Sequence, residues 1–360
     1  MMLRSLLGSA CKTNASRTHF LAALSRFSFF SSFAANPRLH NHMLSPNRSR
    51  QPNELNDSNQ RGLYFSTAEF NSTVEESLQK WCKIFTNRKI SEPLESIANI
   101  LASVLKTNNL GEVYKHRKLV LSDLQVQNVN AMCEKRLQQM PVQYIIGEWD
   151  FRDINLKLRP PVFIPRPETE MLVEIALQDI KTRNVERVLE LCCGSGAISC
   201  SLLHAVKNLS AVTIDISPDA CRLCAENAHI LSLTDRMQIE NCAVKDFSSD
   251  DMFDVIISNP PYVLTGDMKD LQPEILLYED VEALDGGADG LDVVKQIFTL
   301  ASRHLNPSGS LFLEVDLSHP RLIRDLLADG GEDLTLLATH EDLAGETRFV
   351  QIIKKQETST

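Results

Sequence analysis

The sequence predicts an α/β protein in which a small helical domain precedes a mainly parallel, Rossmann-like sheet. From about residue 165 onward, short apolar segments typical of buried strands alternate with segments of helical periodicity, as in sheets covered by helices on both faces. A turn containing Gly194 and Gly196 follows the first of these strands, and an acidic residue, Asp215, ends the second. Together these observations predict a ligand-binding sheet, because such sheets bind ligands beyond the carboxyl ends of their strands.

The individual elements follow from the same patterns. Strands are predicted at residues 187–191, 211–215, 237–241, 253–258, 310–315, 334–338 and 348–353, and helices at residues 168–181, 197–206, 218–232 and 290–305. The helix at 218–232 has a particularly clear start, because Ser217 is a favourable N-cap and Pro218 suits the first helical position.

A helical domain is predicted over residues 73–140. Apolar residues such as Leu78, Trp81, Cys82 and Phe85 recur there at helical spacing. A separate helical bundle of this kind can also dock a protein substrate. Residues 141–164 alternate in polarity and are predicted to be a connecting strand pair, which leads into the sheet domain at residues 165–356.

The charge is distributed unevenly along the chain. Residues 1–53 contain seven Lys and Arg residues and no Asp or Glu, and since the formal total is −10, residues 54–360 carry −17. A basic, serine-rich segment before an acidic body is typical of an organelle transit peptide. We therefore predict a mitochondrial transit peptide at residues 1–53, a linker at residues 54–72, and activity in the mitochondrial matrix.

Composition also restricts the partners. Proteins that bind long nucleic acids usually present a basic surface, so the acidic body argues against direct nucleic-acid binding. No apolar run is long enough to span a membrane. The nine cysteines include no second pair at metal-ligand spacing, so no metal is expected. We expect a monomer.

The turn after the first strand is the candidate cofactor site. It consists of Cys192-Cys193-Gly194-Ser195-Gly196 and leads directly into a helix, whose free N–H groups can approach a ligand. Asp215 can accept both hydroxyl protons of a ribose, although an ordinary helix cap is the alternative. NAD and S-adenosylmethionine both contain a ribose. Glu190, close to the turn, would repel a pyrophosphate and suits the cationic groups of S-adenosylmethionine.

The fourth predicted strand ends in Asn259-Pro260-Pro261-Tyr262, which is the candidate acceptor site. Two consecutive prolines cannot continue a strand, but they fix the backbone rigidly. The Asn259 side chain and the Pro260 carbonyl could together accept both N–H bonds of a planar –NH2 group, with Tyr262 against its face. Such an arrangement directs the nitrogen lone pair toward a methyl donor, and positioning can then supply most of the catalysis.

From about Arg136 to Lys354, the sequence resembles the HemK/PrmC protein-glutamine N5-methyltransferases, which modify peptide-chain release factors. The segments that carry the resemblance are residues 141–147, 163–170, 194–198, 258–262, 283–291 and 342–345. Asn-Pro-Pro-Tyr alone also occurs in nucleic-acid amino-methyltransferases. The segments Ile-Pro-Arg-Pro-Glu-Thr-Glu and Leu-Asp-Gly-Gly-Ala-Asp-Gly-Leu are far more specific.

The resemblance implies a class I methyltransferase sheet with an antiparallel C-terminal strand, S-adenosylmethionine as cofactor, and a mitochondrial release factor as partner. The acceptor would be the glutamine of the factor's Gly-Gly-Gln loop, bound by Asn259, Pro260, Pro261 and Tyr262, and Asn259 would also contact the cofactor. An aromatic residue near the adenine would correspond to Phe247. The sequence departs from the family at Cys192, where glycine is usual; if this position has a positive φ, a cysteine there is strained.

Two other functions fit parts of the sequence. A nucleic-acid amino-methyltransferase would share the Asn-Pro-Pro-Tyr corner, but the acidic body and the lack of an evident basic recognition segment oppose it. A non-catalytic binding module would result if Cys192 disabled the cofactor turn. Measuring heat of binding with S-adenosylmethionine separates this last case from the enzymes.

Overall fold

A computed structural model describes residues 72–107, 109–329 and 333–356. The predicted transit peptide (residues 1–53) and nearly all of the predicted linker (residues 54–72) lie outside these residues. None of the helices in the described ranges is long and apolar enough to cross a membrane.

The N-terminal part is helical and has its own apolar core. Its helices are α1 Val74–Asn87, α2 Pro93–Val104, α3 Leu110–Lys115, α4 Asp123–Leu137 and α5 Val142–Ile146. Capping boxes at the starts of α1 and α4 satisfy free N–H groups, with Thr73 paired to Glu76 and Ser122 paired to Gln125. The core side chains of α1 pack against those of α2, including the fully buried Phe85 and Leu101.

The strand prediction for residues 141–147 is wrong, because most of this segment forms α5. Pro141 precedes the helix, and Gly147 ends it with a φ of 81°. A proline before and a left-handed glycine after a short segment are helix-boundary signals, and here they prevail over the alternating polarity. The strand pair itself is shorter than predicted and consists of β1 Glu148–Phe151 and β2 Ile154–Lys157.

Seven further strands in the described residues form one sheet in the order β5-β4-β3-β6-β7-β9-β8. They are β3 Arg187–Leu191, β4 Ser210–Asp215, β5 Met237–Asn241, β6 Phe253–Ser258, β7 Leu305–Glu314, β8 Leu334–Glu341 and β9 Thr347–Lys354. Strands β3 to β7 pair in parallel, whereas β9 lies antiparallel between β7 and β8. The predicted sheet with an antiparallel C-terminal strand is confirmed.

Helices cover both faces of this sheet. They are α6 Pro167–Arg183, α7 Ala197–Ala205, α8 Pro218–Ile230, α10 Asp292–His304 and α11 His319–Asp329, whereas the short helix α9 Pro273–Tyr278 has no buried residue. Val188 of β3 faces a core shared with α6 and α7, while its neighbour Leu189 faces a core shared with α10. Burial on both faces explains why the central strands are continuously apolar. The strand order reverses between the parallel neighbours β3 and β6, which creates a crevice at their carboxyl ends.

A buried ion pair joins the helical part to α9. Arg136 of α4 is 3% exposed and lies 2.7 Å from the carboxylate of Glu274. Ser91 donates a hydrogen bond to the same carboxylate over 2.7 Å. The Tyr278 hydroxyl, at the other end of α9, donates to the backbone carbonyl of Gln138 over 2.8 Å. Both ends of α9 are therefore attached to the end of α4 and its neighbours.

Candidate active site

A cavity of about 370 Å³ opens at the carboxyl ends of β3, β4 and β6. Its lining combines the two regions that the sequence singled out, and includes Glu190, Cys192–Ser195, Asp215, Asn259 and Pro261. The cavity lies at the point where the strand order reverses, which is where sheets of this type bind their ligands.

The turn after β3 runs largely in left-handed backbone. Cys192, Gly194 and Gly196 have φ angles of 58°, 54° and 78°. The cysteine therefore occupies a conformation that favours glycine, at a cost of about 1–3 kcal/mol. A Cβ atom at Gly196 would lie 2.6 Å from the Cys224 sulfur, so close packing between this turn and α8 requires the glycine.

Asp215 anchors the turn from the end of β4. Its carboxylate accepts hydrogen bonds from the backbone N–H groups of Gly194 and Ser217, each over 2.8 Å. The N-cap of α8 is Ser217, whose hydroxyl accepts from Ala220 N–H, so Asp215 does not have the capping role that was its alternative. Burial raises the pKa of Asp215. Each carboxylate oxygen keeps a further lone pair for a ligand hydroxyl.

Glu190 is a buried carboxyl group with one unsatisfied oxygen. It is 1% exposed, and its Oε2 atom accepts a hydrogen bond from Ser199 N–H over 2.9 Å. Its Oε1 atom has no hydrogen-bond partner among the described residues. Burial raises the pKa of this group to about 8. Since Glu190 also lines the cavity, a cationic ligand group there would compensate the carboxylate charge.

The corner after β6 connects to two elements on either side of it. Asn259 donates through its side-chain nitrogen to the Thr169 hydroxyl over 3.1 Å. Thr169 donates to Glu314 over 2.7 Å, and Tyr262 donates to the other oxygen of Glu314 over 3.3 Å. Thr169, in the first turn of α6, therefore links Asn259 to Glu314 at the end of β7. Tyr262 is hydrogen-bonded to Glu314 directly.

The segment Leu284–Leu291 packs directly on the backbone of this corner. Val263 N–H donates to the Leu284 carbonyl over 2.9 Å, and Gly286 N–H donates to the Val263 carbonyl over 2.8 Å. A Cβ atom at Gly286 would lie 2.8 Å from both the Pro261 carbonyl oxygen and the Tyr262 Cα atom. Because Gly286 has no side chain, the backbone of this segment can pack directly against the Asn-Pro-Pro-Tyr corner.

The chain matches family models along most of the described residues. Residues 76–147 match the PrmC N-terminal domain, and residues 167–287 match the methyltransferase small domain. The human MTRF1L release factor glutamine methyltransferase is 41% identical over 298 residues, which cover 78% of this chain and 87% of the human protein. This chain belongs to the release factor glutamine methyltransferase family.

Bacterial members of the family are also similar. The release factor glutamine methyltransferase of Clostridium acetobutylicum is 30% identical, with coverage of 72% of this chain and 91% of that protein. The enzyme of Thermodesulfovibrio yellowstonii is 33% identical, with coverage of 75% and 95%. The resemblance inferred from the sequence segments is confirmed, and S-adenosylmethionine is the cofactor. The unsatisfied carboxylate of Glu190 and the free lone pairs of Asp215 fit its cationic and ribose groups.

Phe247 does not line the cavity, although the family resemblance implied a position near the adenine. Its side chain is 8% exposed and packs in the core, where its ring lies 6.4 Å from that of Phe253 and 5.5 Å from that of His304. Val244 and Lys245 line the cavity instead. A short 3-10 turn over residues 244–246 rotates Phe247 toward α10, so the prediction that it contacts the adenine is corrected.

Sequence reasoning also missed Thr169 and Glu314. Thr169 belongs to the Ile-Pro-Arg-Pro-Glu-Thr-Glu segment that carried the family resemblance, so its position in a specific segment was an available signal. Glu314 is a lone acid at the end of the apolar strand β7, and it is 1% exposed. An acid at the carboxyl end of a central strand, in line with Asn259, was the signal that could have identified it.

Cofactor binding is expected to depend on pH through Glu190. Its pKa of about 8 means that the free protein holds a proton there at neutral pH, whereas a cationic ligand favours the ionised form. Affinity for S-adenosylmethionine should therefore rise about tenfold from pH ~6 to pH ~7.5, a range in which the cofactor's α-amino group (pKa ~7.8) stays mostly protonated. Calorimetry in buffers of different ionisation enthalpy would measure both the affinity and the released proton.

The matched control is Glu190→Gln, which keeps the shape of the side chain and removes its titration. Its affinity should be nearly flat over the same pH range. An equally steep rise in this variant would mean that another group is responsible.

Proposed function

We propose that this protein transfers the methyl group of S-adenosylmethionine to the side-chain amide nitrogen of the glutamine in the Gly-Gly-Gln loop of a mitochondrial release factor. The names of its human and bacterial relatives support the substrate class. The acid-free basic composition of residues 1–53 supports import into the mitochondrial matrix. We further propose that residues 73–140 help to dock the release factor, that the protein acts as a monomer, and that it binds no nucleic acid directly.

The observation that carries this proposal is the position of the Asn-Pro-Pro-Tyr corner. Asn259 and Pro261 line the same cavity as the glycine turn and Asp215. An amide held by the Asn259 side chain and the Pro260 carbonyl would therefore lie beside the cofactor site. Both acceptors belong to a corner whose backbone is fixed by prolines and supported by Gly286, which provides the pre-organisation that positioning requires.

The chemistry needs little acid–base assistance. An amide nitrogen is a weak nucleophile because its lone pair is delocalised into the carbonyl group. When both of its N–H groups donate hydrogen bonds to the protein, the electron density on nitrogen increases and the lone pair is oriented. The cofactor supplies an electrophilic methyl group on a sulfonium sulfur. The new N–C bond forms as the C–S bond breaks, and the nitrogen then loses one proton to solvent.

Methyl transfer to a recombinant mitochondrial release factor tests the proposal. Labelled methyl groups should be incorporated into the Gly-Gly-Gln protein, and mass spectrometry should place them on the glutamine. A Gly-Gly-Ala version of the same factor is the matched control and should remain unlabelled. Equal labelling of both versions would contradict the glutamine assignment, and labelling of RNA or DNA without a protein acceptor would indicate the nucleic-acid enzyme instead.

A further inference from the structure

We propose that Thr169 and Glu314 are positioning residues that determine which end of the Asn259 side-chain amide faces the substrate. This inference rests on the proposed function, since it concerns how the same corner recognises a glutamine amide. Thr169 also lines the cavity, but in this proposal neither residue acts directly on the reacting atoms. Both act through Asn259, to which they are joined by consecutive hydrogen bonds.

The orientation of Asn259 is decided by a chain of one-way hydrogen bonds. An ionised carboxylate only accepts, so the Thr169 hydroxyl must use its single proton for Glu314, which lies 2.7 Å away. Its remaining lone pairs can then only accept, and the donor, 3.1 Å away, is the Asn259 side-chain nitrogen. The side-chain oxygen of Asn259 is consequently on the side of the amide that does not contact Thr169, where it is free to accept a hydrogen bond.

Orientation is important because the two ends of an asparagine amide have the same shape and opposite hydrogen-bonding character. With its oxygen toward the cavity, Asn259 can accept an N–H bond from a glutamine amide. With its nitrogen toward the cavity, it would present a donor to another donor. The substrate N–H would then be unsatisfied in a closed site, which is costly. Thr169 and Glu314 therefore select the productive orientation before the substrate arrives.

Burial makes this selection strict. Thr169 and Glu314 are 3% and 1% exposed, so water does not readily replace either partner. Glu314 also accepts the Tyr262 hydroxyl at 3.3 Å. One carboxylate therefore holds the first residue of the corner, through Thr169, and the last residue directly.

The ionisation of Glu314 supplies an independent readout. Burial raises the pKa of this group to about 7; the nearby charge of Glu168 also raises it, whereas Arg348 and the hydrogen bonds from Thr169 and Tyr262 lower it. A protonated carboxyl group can donate to Thr169, and the Thr169 hydroxyl is then free to donate to the oxygen of Asn259. Protonation therefore removes the orientational preference, and kcat should fall as the pH decreases through ~7.

Thr169→Val is the primary test, because it keeps the branched shape and removes the hydroxyl. With a Gly-Gly-Gln release factor and saturating cofactor, kcat should fall about tenfold or more, a change of the size that one lost hydrogen bond produces. The cofactor Kd and the KM for the release factor should change less than about threefold, since the docking and cofactor contacts are intact. Thr169→Ser retains the hydroxyl and should recover most of the activity.

Glu314→Gln extends the test, because a glutamine can either donate to Thr169 or accept from it. Its kcat should fall to a value between those of the wild type and Thr169→Val. The double variant should be no slower than Thr169→Val alone, because both residues act through one chain of hydrogen bonds. The decline in kcat near pH ~7 should be absent from both single variants. Thr213→Val, at a fully buried threonine of β4 that bonds to the Gln238 carbonyl, is the matched control and should keep wild-type kcat.

An unchanged kcat in folded Thr169→Val, or additive losses in the double variant, would overturn the inference. Loss of thermal stability in Thr169→Val that Thr169→Ser does not restore would assign a purely structural role and also overturn it. Failure of the wild-type enzyme to label the Gly-Gly-Gln factor would instead contradict the proposed function, so the two failures are distinguishable.

Discussion

Replacing Asn259 with alanine is expected to lower kcat by about a hundredfold to a thousandfold, the range observed when one preorganised hydrogen-bonding group is removed from an active site. The alanine cannot accept an N–H bond from the substrate amide, and the Pro260 carbonyl alone cannot fix the direction of the nitrogen lone pair. The cofactor Kd should change little, because the main cofactor-binding groups that we assign, Glu190 and Asp215, are on other strands. Single-turnover kinetics and calorimetry would measure the two quantities separately.

The control for this substitution is Asn155→Ala. Asn155 is an exposed residue of β2 whose side chain donates to Asp150, and neither residue lines the cavity, so its loss removes an asparagine hydrogen bond outside the site. This variant should have wild-type kcat. Full activity in Asn259→Ala would show that the corner does not bind the acceptor amide.

Replacing Gly286 with alanine is expected to reduce kcat by about a hundredfold, the loss that a displacement of about 1 Å can cause in a site that depends on positioning. The added Cβ atom would lie 2.7 Å from the Gly290 carbonyl oxygen and 2.8 Å from the Pro261 carbonyl oxygen. Both neighbours are backbone atoms and cannot rotate away, so the corner must shift. Overpacking of this kind should also lower the free energy of unfolding by about 1–3 kcal/mol, measurable by urea denaturation.

Gly266→Ala is the matched control for this prediction. Gly266 is an exposed residue between the corner and Gly286, and a Cβ atom there would have no neighbour within 4 Å. Stability and kcat should both remain near the wild-type values. If Gly286→Ala behaves in the same way, the Leu284–Leu291 segment does not support the acceptor corner.

The central sheet could be predicted from the sequence because its strands are buried on both faces. Residues of β6 such as Ile256 and Ile257 face opposite cores, so the strand is a continuous apolar run that stands out from its surroundings. The short helices α3 and α9 were not predicted, since six residues contain too few turns for a clear apolar periodicity. The helix α11 was also missed.

The candidate site could be predicted where its geometry is local. Asp215 and Asn259 follow strands directly, so their positions depend only on where those strands end. Phe247 follows a 3-10 turn, and the rotation of the backbone in this turn places the Phe247 side chain in the core and not in the cavity. Glu314 meets Thr169 across 145 residues of sequence, and only the assembled sheet brings such a pair together. Long-range polar contacts of this kind have no local pattern.

The ion pair between Arg136 and Glu274 has a consequence for the way the catalytic and helical parts can be separated. Replacing Arg136 alone would leave the mostly buried carboxylate of Glu274 without its partner, and a buried charge left uncompensated in this way costs about 3–5 kcal/mol. If α1 to α5 were cut away, Glu274 would lose its arginine, and α9 would lose both of its attachments. The chain after α9 would keep its attachment to the start of α6, because the Glu279 carboxylate accepts hydrogen bonds from Ile164 N–H and from Arg166. The helical part thus helps to fix α9, which directly precedes the cavity-lining residues Asp280, Glu282 and Ala283, and a protein bound to the helical part would contact elements joined to the methyl-acceptor side.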